Sequence, residues 1–156
     1  MIQWENPLGW KELIDYRMTK PKLTRIFLLT AFILIIPSAL HSSINLAGSE
    51  WRPSRIGTSE VSPKAGMFVQ FKSAGKLAGH GGCNRFFGQY KISGNEISIG
   101  PLGATRMACS EPVMALELAF FSALEGTKSF RRDKTKLVLF NASGTEQTRL
   151  IQTDWD

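Results

Sequence analysis

Apolar and polar residues alternate along most of this chain, and one segment lengthens the period to that of a helix. In Met67–Lys72, Met67, Val69 and Phe71 share one face, Gln70 and Lys72 the other, and Phe68 falls out of step. Gly75-Lys76-Leu77-Ala78-Gly79 reads as a turn running into a second strand. Phe86–Ile92 alternates again, with Phe86, Gly88, Tyr90 and Ile92 opposite Phe87, Gln89 and Lys91. A period of two is the mark of a strand with one buried face. Ser93-Gly94-Asn95 is a turn, and Glu96–Ile99 continues as a strand with Ile97 and Ile99 together. Leu137–Phe140 and Arg149–Gln152 flank the turn Asn141–Gly144 and read as a closing hairpin.

Between Ser110 and Gly126 the period is helical. Val113, Leu116, Phe120 and Leu124 make one stripe, and Met114, Leu118 and Phe121 a second beside it. Glu117, Ser122 and Glu125 hold the wet side. Ser110 is placed to cap the helix, Glu111 and Pro112 suit its first turn, and Gly126 stops it. So broad an apolar face predicts deep burial against a curved sheet; the alternative is a partner or lipid groove bounded by the helix. Strands, one helix, then strands again give an α+β fold: an antiparallel sheet with a helix on one face.

Ile26–Ile36 is the one strongly apolar run. Lys20, Lys22 and Arg25 precede it and Pro37-Ser38-Ala39 follows, the layout of a secretory signal. A membrane-spanning helix needs about 20 residues, more than this run supplies. No clean Ala-x-Ala site occurs, so an uncleaved signal-anchor is the alternative. Trp4, Trp10, Glu12 and Asp15 make an odd leader, and Met18 begins a more ordinary one. Residues 1–43 are therefore read as an N-terminal extension plus signal peptide or signal-anchor, and residues 44–156 as one domain. The expected location is periplasmic or secreted after cleavage, or anchored in the inner membrane facing the periplasm.

With 156 residues, 43% of them apolar, ten Phe and four Trp, the chain has material for a packed core. Its net charge of +6 divides into +2 on residues 1–43 and +4 on residues 44–156. That is ordinary solvation, and no nucleic-acid partner is expected. The basic run Arg131–Lys136 reads as an exposed turn leading into a strand.

Glycines at 79, 81, 82 and 88 crowd one region. Gly81-Gly82 implies a bulge or tight bend where side chains would clash, and Asn84 suits the turn after it. No Gly-x-Ser-x-Gly, Cys-x-x-Cys, His-Glu-x-x-His or phosphate-binding glycine loop is present.

GGCNRFFGQY (Gly81–Tyr90), then LGATRMAC (Leu102–Cys109), then a helix containing Glu117, then a strand at Lys136–Phe140, resembles the META domains, the HslJ-like heat-inducible envelope proteins. Leu46–Trp51 looks like that family's opening strand. The shared positions are Gly82, Cys83, Asn84, Phe86, Gly88, Tyr90, Thr105, Met107, Ala108, Cys109 and Glu117. The resemblance implies a small, strongly curved antiparallel β-sheet with one helix packed on it. It also implies a non-enzymatic envelope protein linked with heat or antibiotic stress. Many relatives are lipoproteins; this chain has no cysteine just after its apolar run.

Three readings of the two cysteines stand side by side. Paired cysteines in an oxidising compartment favour a Cys83–Cys109 disulfide, and the family positions imply the same bond. A metal site would add His80 but lacks a full ligand set. A thiol nucleophile at Cys83 would need His80 or His41 as base. Thr105 is expected to cap backbone and Arg106 to be exposed, or to share an acidic-partner surface with Arg85. Glu117 is expected to be solvated or paired with Arg85 or Arg106, and Trp51 and Trp155 to anchor the core or an edge strand. The resulting expectation is an exported binding or stress-tolerance module with no catalytic residue, metal or cofactor. Its partner would be an unknown envelope protein or an apolar ligand, met through the concave sheet face or the groove beside the helix. Membrane contact would come only through an uncleaved N-terminal segment. The alternatives are a thiol-dependent envelope enzyme using Cys83 and a membrane-anchored secretion assembly factor.

Overall fold

The computed structural model describes residues 44–153. Residues 1–43, with the apolar run and His41, and Trp155 lie outside the described residues. Among those described, no helix is long and apolar enough to cross a membrane.

Among the described residues ten strands and one α-helix follow in order. They are β1 (Ser49–Ile56), β2 (Ser59–Glu60), β3 (Phe68–Phe71), β4 (Lys76–His80), β5 (Arg85–Ser93), β6 (Glu96–Ile99), β7 (Gly103–Ala104), α1 (Glu111–Glu125), β8 (Ser129–Asp133), β9 (Lys136–Phe140) and β10 (Glu146–Thr153). The alternating runs form strands where their period places them. Met67, Val69, Phe71, Phe86 and Tyr90 are buried, while Gln89 and Lys91 are exposed. The opening strand starts at Ser49, later than the Leu46 of the family phrase, and runs on through Pro53. There the β1–β10 register shifts, the kind of irregularity that tolerates a proline in a ladder.

The α+β class holds, but the sheet is a closed antiparallel barrel and not an open curved sheet. Every neighbouring pair is antiparallel in the order β10-β9-β8-β6-β5-β4-β3-β1, and β1 pairs again with β10 to shut the ring. The short β2 and β7 lie beside the ring on β1 and β5. An eight-stranded barrel has an interior about wide enough for side chains alone to fill. Here Trp51, Phe71, Leu77, Phe86, Leu137, Leu139 and Leu150 fill it, all buried. The concave face expected to recognise a partner is therefore the core.

Helix α1 packs against β1, β6 and β10. Phe120 and Leu124 are fully buried, and Phe120 and Phe121 both meet the Phe86 ring edge-on, at 6.0 and 5.0 Å between centroids. The second stripe is less buried than its apolarity suggests, since Leu118 is 65% exposed. Ser110 occupies the cap position, but its side chain makes no capping bond; its carbonyl accepts from the N–H groups of Val113 and Met114. Gly126 ends the helix with right-handed backbone, φ −73°.

The basic run is not a simple exposed turn. Arg131, Arg132 and Asp133 belong to β8, and only Lys134 and Thr135 make the turn. Arg132 lies over the Trp51 ring at 5.3 Å and donates to Asn45 O and Gln152 Oε1, so it seals the barrel wall.

Candidate functional site

All the shared motif residues but Gly88 and Tyr90 converge at one place, where the Gly81–Asn84 bend, the segment Thr105–Cys109 and helix α1 meet. The bend needs its glycines. Gly82 has φ +107°, and a side chain on Gly81 would run into Glu117 and Phe121 of the helix. The Gly81 N–H donates to Asn84 O at 2.8 Å, and the Gly82 N–H donates to His80 Nδ1 at 3.1 Å. His80 thus supports the bend through one ring nitrogen and stacks on Phe68 with the ring.

Glu117 lies under the bend. It is 3% exposed, which corrects its expected place on the wet side, and no ion pair to Arg85 or Arg106 forms. Its Oε2 accepts from the N–H groups of Cys83 at 3.1 Å and Asn84 at 2.5 Å, and its Oε1 accepts from Asn84 Nδ2 at 2.7 Å. Only its charge put Glu117 with Ser122 and Glu125; four residues from Val113 and three from Phe120, it shares their face of the helix, and the bend's N–H groups satisfy it there. A buried carboxylate is tolerable only with such donors.

Asn84 is buried and carries the network onward. Its Oδ1 accepts from Thr105 Oγ1 at 2.8 Å and from the Met107 N–H at 2.7 Å, while Nδ2 also reaches Met107 O at 3.3 Å. Thr105 Oγ1 in turn accepts from the Arg85 N–H at 3.2 Å. Thr105 therefore satisfies backbone as expected, and Arg106 is exposed. Cys83 and Cys109 have their sulfurs at bonding distance and their Cα atoms 6.1 Å apart, so the pair staples the bend to the residue before the helix cap. Cys83 is buried and Cys109 exposed. Among the described residues no cysteine is free and no cluster of three ligating side chains occurs.

From β5, Phe86 meets the helix beside the bend, whereas Gly88 and Tyr90 lie further along the strand. Leu102 packs where a Gly88 side chain would stand, and Tyr90 packs edge-on to Phe71 and donates to Lys72 O at 3.0 Å. Burial raises the Tyr90 pKa above its ordinary value. Met107 and Ala108 are exposed, contributing backbone to the cluster and side chains to the surface. Gly81 was legible as a bend residue; its role in letting the helix close on the bend was not, because that contact is tertiary.

A closed barrel with a helix packed on it, locked by a disulfide and a buried Glu–Asn network, defines a small stapled scaffold. The META domain family model matches residues 44–154, and the chain belongs to that family. A search of curated proteins finds no match. Among solved structures, the NMR structure of a protein from Burkholderia xenovorans is similar with a TM-score of 0.59 and 22% identity, covering 70% of this chain and 85% of that one. A second NMR structure is similar with a TM-score of 0.54 and 23% identity, covering 69% of this chain and 90% of that one. At such identities the likeness concerns the fold.

Proposed function

We propose that this META-family chain is a non-enzymatic binding module of the bacterial envelope, exported by its N-terminal segment and serving tolerance of heat or antibiotic stress. One observation carries the non-enzymatic part: the motif cluster is spent on itself. Both Glu117 oxygens, the Asn84 amide and the Thr105 hydroxyl are bonded within it, and both cysteines are joined. A nucleophile or general acid needs a free atom facing a substrate, and the cluster offers none. The Cys83–Cys109 pair fits an oxidising compartment, which supports export. The filled barrel moves recognition from the concave face to the outer surface.

Intact mass spectrometry of the protein from an envelope fraction, with alkylation before and after reduction, tests this. The expected result is a chain beginning at about residue 40–47, unalkylated before reduction and carrying two alkyl groups after it. A full-length mass would replace the soluble reading with a membrane-anchored one. Cysteines alkylated without reduction, or turnover lost in Cys83→Ser, would restore the thiol-enzyme reading.

A further inference from the structure

The outward face of β3, β4 and β5 meets the motif cluster only at its edge, through His80 and the Arg85 N–H, and its register sets side chains in three rungs. Lys72, Lys76 and Gln89 form the first: the Lys72 N–H donates to Lys76 O at 2.8 Å, and Lys76 pairs with Gln89. Gln70, Ala78 and Phe87 form the second. Phe68, His80 and Arg85 form the third. Residues two apart on a strand share a face, so the outer rungs stand about 13 Å apart. Ala78 is the small residue at the middle, and two open depressions of about 580 and 310 Å³ share Lys72 and Ala78 as lining. Gly100 and Pro101 wall the larger one beside Phe87.

This face is cationic and under-neutralised. Lys72, Lys76 and Arg85 are exposed, and among the described residues none joins an ion pair. No acidic side chain lines either depression. The carboxylates beside this face are engaged. Glu50 accepts from Gln70 Nε2 at 2.8 Å and from Thr153, and lies 3.9 Å from Arg52. Glu125 accepts from the Leu102 N–H at 2.7 Å. Between the basic rungs, Phe87 is 65% exposed, a large aromatic surface left in water.

We propose that this face binds an acidic oligosaccharide, a reading that names the ligand class for the binding module proposed above and rests on it. Anionic substituents spaced along the sugar chain meet Lys72 and Lys76 at one end and Arg85 at the other. The C–H face of a central sugar lies on the Phe87 ring. The Gln89 amide donates to and accepts from hydroxyls. Single-stranded nucleic acid fits less well, because its bases need several exposed aromatics in series. Phe87 stands alone in that respect: Phe68 is half-buried and stacks on His80 at 6.4 Å between centroids.

Calorimetric titration of the full chain with a pentamer of galacturonic acid, its fully methyl-esterified form and an oligothymidylate tests the proposal. The acidic pentamer is expected to bind, with affinity falling as salt rises, and the neutral ester is not. Lys72→Gln with Lys76→Gln should weaken binding by about tenfold or more, and Phe87→Ser by a similar factor. The control pair Lys64→Gln with Lys136→Gln should change it by less than about twofold. No binding of the acidic pentamer, an equal loss in the control pair, or tighter binding of oligothymidylate would each overturn the proposal. Because the titration is made on purified protein, its failure would leave the export reading intact, and a failure of export would leave the titration unchanged.

Discussion

Glu117 shows what a buried carboxylate requires of its surroundings. It takes three N–H groups from Cys83 and Asn84, and its hydrogen-bond partners include no basic side chain. Glu117→Gln keeps the shape but turns an amide N–H₂ toward a donor, leaving buried groups unpaired. A loss of roughly 2–4 kcal/mol is expected from urea unfolding; a change below about 0.5 kcal/mol would mean the network does not hold the bend. A second carboxylate acts at the surface. The hydrogen bond from Arg55 holds the Glu146 pKa below its ordinary value, with Arg149 helping and burial opposing. A depressed carboxylate pKa contributes stability above its unfolded value of about 4.3, and that stability is lost as pH falls through the lower folded value. Glu146→Gln should therefore destabilise the protein at neutral pH and flatten the acid limb of its stability curve below about pH 4.3. An acid limb unchanged by the substitution would show that the pair contributes nothing.

At the scale of elements, α1 is held by packing more than by its ends. Phe120 is fully buried against Phe86, and Phe120→Ala is expected to cost about 3–5 kcal/mol. Ser110 carries the residue type of a cap without the capping bond. Ser110→Ala should then change stability by less than about 0.5 kcal/mol, where a working cap loses about 1. The same unfolding titration reads both, and a large loss at Ser110 would reveal a side-chain bond formed in solution. Leu118 explains why the helix looked more deeply buried than it is. A helix lying on a barrel buries one side, and the second apolar stripe passes out of contact at that residue.

At the scale of the molecule, the ring is closed unevenly. The seam β1–β10 aligns strands from opposite ends of the domain over most of their length, whereas β6 and β8 share the single pair Glu96–Ser129. Hydrogen exchange should accordingly be faster at Ile97 and Phe130, whose N–H groups bond across the β6–β8 seam, than at Trp51 and Leu150. Equal protection would mean that the barrel opens only as a whole. The disulfide closes a loop across 26 residues, and removing it by Cys83→Ser with Cys109→Ser should cost roughly 3–4 kcal/mol in the chain-entropy picture.

Period-two alternation is a local property, so β3, β5, β6 and the β9–β10 hairpin are readable from Met67, Val69, Phe86, Tyr90, Ile97 and Leu139 without any tertiary knowledge. The α+β class, the helix between Ser110 and Gly126 and the family phrase around Cys83 are legible for the same reason. β8 was hidden, because Ser129–Asp133 has one buried apolar residue, Phe130, and two arginines that mimic a solvated turn. Closure was hidden too. The partners of β1 on β10 lie about a hundred residues away, and nothing in either strand states which distant edge it will meet. The environment of Glu117 was decided last of all. Its charge argues for water while its helical phase sets it on the face of Val113, Phe120 and Leu124, and only the N–H groups of the bend, brought within reach because Gly81 has no side chain, let a carboxylate stand there.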